Sequence, residues 1–152
     1  MNRRRFAVVA SIGSALWLTQ SFAALAQTAA AAKSPAAPAK SRLIIQVSDA
    51  DPKKWMLALN NAKNVQADLG KDQVEIELVA YGPGIGMLKM DSEAGPRVAE
   101  AMGDGVKVVA CENTMTNQKI SKNDMLPKIG YVKAGVVEIM QKQQQGYAYL
   151  RP

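Results

Sequence analysis

The sequence predicts an α/β domain over residues 42–152, a mainly parallel sheet of about five strands with helices on both faces. Three observations carry that expectation. Short runs of β-branched and aliphatic residues alternate with segments whose apolar residues recur at helical spacing. Helix-start signals follow the strand candidates within a few residues, as Asp51-Pro52 follows the first. The resulting order, β-α-β-α-β-α-(β)-α-β, is that of parallel strands joined by crossover helices.

The first strand is Leu43-Ile44-Ile45-Gln46-Val47-Ser48. Asp51 then offers an N-cap oxygen, and Pro52 takes the first helical position, where a missing N–H costs nothing. This helix is expected to reach Leu69 and stop at Gly70, with Trp55, Leu59, Ala62 and Leu69 facing the sheet and Met56 and Val65 at its margins. Trp55 is expected in the core or a subunit contact. Val74–Tyr81 begins with strict alternation and ends nearly all apolar, as a second strand. Ser92–Met102 is expected to be helical, with Pro96 in its first turn and Val98, Ala99 and Met102 turned inward. Val106–Cys111 is the third strand, and a short helix is expected from Asn113 to Ile120. Ser121-Lys122-Asn123-Asp124 reads as the cap of a further turn ended by Pro127, and Gly130-Tyr131-Val132 as a brief strand or loop. Gly135–Gln145 reads as an amphipathic helix carrying Val136, Val137, Ile139 and Met140, and Tyr147–Leu150 as the last strand.

Residues 1–26 have the form of a secretory signal peptide. Arg3, Arg4 and Arg5 precede the apolar run Phe6–Leu18, and Ala24-Leu25-Ala26 offers an A-x-A cleavage site before Gln27. The run is about thirteen residues, short of the roughly twenty that a spanning helix needs. The arginine cluster also resembles a twin-arginine signal, so Sec and twin-arginine export are both open. The mature chain is expected in the periplasm with no stable membrane insertion. Residues 27–41, rich in Ala, Pro, Lys and Ser, read as a flexible linker.

The chain's formal charge of +6 falls to +3 once the three arginines of the signal are removed. No basic run interleaved with aromatic residues remains, so nucleic acid is not an expected partner. Histidine is absent, which excludes Ser-His-Asp and Cys-His hydrolases and histidine-ligated metal centres. One cysteine excludes an internal disulfide and a C-x-x-C redox pair. No metal or other cofactor is called for.

Cys111 is therefore the candidate reactive residue. It ends a strand just before a helix, where ligand sites of open α/β sheets collect and where unpaired N–H groups favour an anion. The same position suits an inert buried thiol. Glu112 would oppose thiolate formation unless it points away. Asp49 and Asp51 follow the first strand and Glu112 follows Cys111, which lets all three lie along the same sheet edge, with Asp51 read as a helix cap and Asp49 as a binding candidate. Gly82-Pro83-Gly84-Ile85-Gly86 lacks the G-x-G-x-x-G spacing of a phosphate cradle and reads as a turn that lets backbone approach a neighbour, with Gly82 and Gly84 beside the site.

Cys111-Glu112-Asn113-Thr114-Met115, together with Gln46-Val47-Ser48-Asp49, Asn60-Asn61-Ala62, Tyr81-Gly82-Pro83-Gly84 and Ala134-Gly135-Val136-Val137-Glu138-Ile139, resembles the DsrE/DsrF-like family, in its exported branch. The resemblance implies a three-layer α/β/α sandwich assembling into trimers or hexamers. It also implies, by analogy with cytoplasmic members, a cysteine that takes up sulfane sulfur as a persulfide and hands it to partner proteins. Only Cys111 inherits that role, with Asn113 and Thr114 as helix-end donors to the sulfur anion. Three functions follow for comparison: a sulfur carrier serving donor or acceptor proteins or small sulfur compounds; a ligand-binding or oligomeric scaffold with Cys111 in its core; and a sulfurtransferase acting on a small thiol or thiosulfate.

Overall fold

The computed structural model describes residues 40–152. The expected signal peptide and nearly all of the expected linker lie outside these residues. Nine regular elements follow in order: β1 (Ser41–Val47), α1 (Pro52–Leu69), β2 (Val74–Ala80), α2 (Gly95–Gly103), β3 (Lys107–Cys111), α3 (Glu112–Asn117), β4 (Gly130–Val132), α4 (Gly135–Gln144) and β5 (Ala148–Leu150). The five strands form one sheet in the order β4-β3-β2-β1-β5, with every neighbouring pair parallel. The expected α/β architecture is present, and Gly130–Val132 is a strand. Ser41, expected to close the linker, already pairs with Val74.

Strand alternation divides the side chains between two faces. Ile45, Val47, Ile76, Leu78, Ala80, Val108 and Ala110 pack with α1, α2 and the 3-10 turn Gly82–Leu88 in the larger core. Ile44, Val79 and Val109 point the other way and meet Ile139 of α4 and Tyr147 in a smaller one. Cys111 follows Ala110 and so belongs to the second face.

Local signals work as expected at Asp51 and at Ser121–Asp124. The Asp51 carboxylate accepts from Lys53 N at 2.9 Å, capping α1 ahead of Pro52. The Asp124 carboxylate closes a capping box with the Ser121 N–H at 2.7 Å and hydroxyl at 2.6 Å. Trp55 is core, and its indole N–H donates to Asp49 O at 2.7 Å. Gly84 allows the predicted close approach, because a Cβ there would lie 2.3 Å from Val47 O.

Three helix faces differ from expectation. Leu69 is 48% exposed, and Gln66 takes the last inward position of α1, its amide donating to Asp104 O at 2.8 Å. A polar residue was able to hold that place because a carbonyl meets it there. In α2, which starts at Gly95 rather than Ser92, Ala99 is exposed while Val98, Ala101 and Met102 face the core. In α4 only Ile139 of the four apolar candidates is buried; Val136, Val137 and Met140 are exposed. One helix alone covers the second face, so only its central stripe finds sheet to pack on. The third helix also begins one residue early, at Glu112, and ends at Asn117.

Candidate functional site

Sheet topology brings two helix N-termini to Cys111. The cysteine itself is the N-cap residue of α3. α4 must carry the chain from β4 at one edge to β5 at the other, so it starts beside β3 on the second face and passes beneath β2 and β1. Its first residue, Gly135, donates its N–H to Cys111 Sγ at 3.3 Å. Glycine eases that approach: a Cβ on Gly135 would stand 3.1 Å from both Tyr81 Cβ and Val79 Cγ1.

Cys111 is 5% exposed and ends β3 at the sheet's carboxyl edge. Burial raises the thiol's pKa. Against it act, in decreasing order, the Thr114 hydroxyl, the Gly135 N–H, the Thr114 N–H and the Asn113 N–H, and together they hold the thiol below its ordinary value. Thr114 is fixed for this task, since its Oγ1 accepts the Gly82 N–H at 2.9 Å and leaves its proton free for sulfur. Gln118 Nε2 donates to Gly82 O at 3.2 Å, so both polar groups of the Gly82 peptide backbone are tied to the segment that follows Cys111. The Asn113 N–H donates to Lys133 O at 3.1 Å and is the least available of the donors. The same carbonyl makes a long, 4.0 Å contact with the thiol.

Cys111, Thr114, Asn113 and Gly82 thus come together. Gly84 packs under the end of β1, and Asp49 lies beyond it, ion-paired with Lys54 and Arg151 at 3.7 Å each. Those two candidates stand on the far side of β2 from the cysteine. Glu112 turns to Lys122 at 3.3 Å. Sequence reasoning missed Gly135 and the Lys133 carbonyl; the available signal was a glycine opening a helix right after a strand, a place where backbone must come close. Among the described residues no group of three metal-ligating side chains converges, and no helix is long and apolar enough to cross a membrane. Two surface hollows lie elsewhere, against α1, and neither is lined by Gly82–Gly86.

The profile of the DsrE/DsrF-like family matches residues 25–152. The chain belongs to the DsrE/DsrF-like family. Its fold is similar to that of MTH1491, a protein of unknown function from Methanobacterium thermoautotrophicum, with a TM-score of 0.71 and 35% identity over 74% of this chain and 100% of that one. BT1422 from Bacteroides thetaiotaomicron, a conserved protein of unknown function, is similar in fold alone, with a TM-score of 0.55 and 15% identity over 74% of this chain and 95% of that one. No curated protein matches.

Proposed function

We propose that this DsrE/DsrF-like protein handles sulfur outside the cytoplasm, carrying sulfane sulfur as a persulfide on Cys111 and passing it to partner proteins. The observation that supports this most is the ring of donors around Sγ: the Gly135 N–H at 3.3 Å and the Thr114 hydroxyl and N–H. Such donors stabilise a sulfur anion without histidine or metal. In the step itself, the Cys111 thiolate attacks the outer sulfur of a donor persulfide. A new S–S bond forms, the donor's own S–S bond breaks, and the donor leaves as a thiolate, with no net redox change. Release to an acceptor thiolate is the same exchange reversed. Nothing in this exchange needs a turnover machinery, so the role is that of a carrier. Periplasmic residence rests on the signal-like residues 1–26, and assembly into trimers or hexamers on the family.

Intact mass after incubation with polysulfide tests the reading. The native protein should gain one sulfur atom, lose it to reductant, and gain none as Cys111→Ser. The 5% exposure of Cys111 favours a second reading, a scaffold with the thiol in its core. A Cys111 that stays unmodified until the chain is denatured would establish that reading and end the first.

A further inference from the structure

Beneath α4, one turn below the sulfur's donor, lies a charged cluster that the sulfur chemistry does not use. Glu77 of β2 is 1% exposed and points to the second face. Two ammonium groups reach its Oε2, Lys107 of β3 and Lys142 of α4, each at 3.0 Å. Its Oε1 is buried and has no hydrogen-bond partner. Lys142 also reaches Glu138 Oε1, at 3.9 Å, so the two carboxyl groups share one ammonium. From the remaining elements, Glu75 of β2 accepts the Tyr147 hydroxyl, Arg42 of β1 lies 3.9 Å from Glu75, and Lys142 stands 4.8 Å over the Tyr147 ring.

A buried carboxylate oxygen without a donor is costly, and two carboxylates side by side repel. Both lysines favour Glu77, and both approach the same oxygen of it. The carboxyl that shares Lys142 with Glu77 can supply the missing donor once it is protonated. We infer that Glu138, in its protonated form, donates its O–H to Glu77 Oε1, and that this single proton clips α4 to the sheet. Burial and the Glu77 carboxylate push Glu138 above the usual carboxylate range, which agrees with that placement. When the proton leaves to solvent, the hydrogen bond becomes a repulsion at the first turn of α4. The clip stands independently of whether Cys111 carries sulfur.

The sign follows from linkage. A carboxyl raised in the folded state stabilises fully below its unfolded pKa, and that stability is lost as pH rises through the folded value. Thermal melts of Cys111→Ser, with and without Glu138→Gln, test this from mildly acidic to neutral pH; the serine removes the thiol's own titration. The glutamine amide donates to Glu77 Oε1 at every pH, so its Tm should rise relative to the parent as pH rises. Parallel curves would overturn the clip. Infrared spectra of the unmodified chain in heavy water need no variant: a protonated-carboxyl C=O stretch is expected to persist above the usual carboxylate range, and its absence there would equally overturn the clip.

Discussion

Gly135→Ala is the most informative single change, because it presses on the sulfur's donor without touching the sulfur. The new Cβ would lie 3.1 Å from Tyr81 Cβ and Val79 Cγ1 and 3.3 Å from Tyr81 Cδ1, so the start of α4 must retreat by a few tenths of an ångström. Overpacking of this kind costs about 1–3 kcal/mol, against about 0.4–1 kcal/mol regained because alanine restricts the unfolded chain. A net loss of about 1 kcal/mol is expected. The retreat also lengthens the 3.3 Å N–H···S contact. Hydrogen bonds to charged groups are worth about 1.5–3 kcal/mol, so weakening this one by about half lowers the thiolate-to-thiol ratio at a given pH roughly three- to tenfold. Iodoacetamide alkylation of Cys111, followed by intact mass across pH, reads that ratio directly. The alkylation profile should move toward higher pH, and the melting temperature should fall. A variant with an unchanged alkylation profile would refute the assignment of Gly135 as a donor to the anion.

Thr114→Val should slow alkylation as well, since it removes the hydroxyl that lowers the thiol and leaves the Gly82 N–H without its 2.9 Å acceptor; a destabilisation of about 1–3 kcal/mol is expected in denaturant titrations, and Thr114→Ser should restore both. The inward face of α1 is checked by a pair of truncations: Leu59→Ala, at a site 2% exposed, should cost about 2–5 kcal/mol, whereas Leu69→Ala, at 48% exposed, should change stability by less than about 0.5 kcal/mol. Asp124 is held below the usual carboxylate range by the Ser121 hydroxyl and N–H, so its cap is lost as pH falls through the folded value. Asp124→Asn should flatten that acid limb of the melting curve.

The sheet was legible because its strands are short β-branched runs and its helix starts carry their own chemistry, as at Asp51-Pro52 and Ser121–Asp124. Burial along a helix was less legible. Periodicity identifies a stripe, but how wide a stripe is covered depends on how many layers lie above it. Val136, Val137 and Met140 are apolar, yet α4 lies alone on its face and leaves them exposed. Gln66 shows the converse, a polar residue buried because Asp104 O meets its amide. At the site, Cys111 and Thr114 could be placed from sequence because they are neighbours on one turn. Gly135 could not, since its 24-residue separation from Cys111 is closed only by the route of α4 beneath the sheet.

That route explains why the cysteine site is not at the place where sheet order reverses. The chain builds β1, β2, β3 and β4 in sequence to one side and returns to set β5 against β1, so the reversal lies between β1 and β5. Crevices at such points commonly hold ligands. Here Asp49 fills it, paired with Lys54 from α1 and Arg151 from the chain's end, while Lys54 also donates to Pro152 O at 3.3 Å. The N-terminus of α4 is delivered to the opposite side of β2. Parity then decides the rest: with Ala110 turned into the larger core, Cys111 must face α4, and the donors it finds there are backbone N–H groups and a hydroxyl rather than ionised side chains. A chain without histidine can ionise a thiol by this arrangement because the stabilising dipoles are already fixed by the fold.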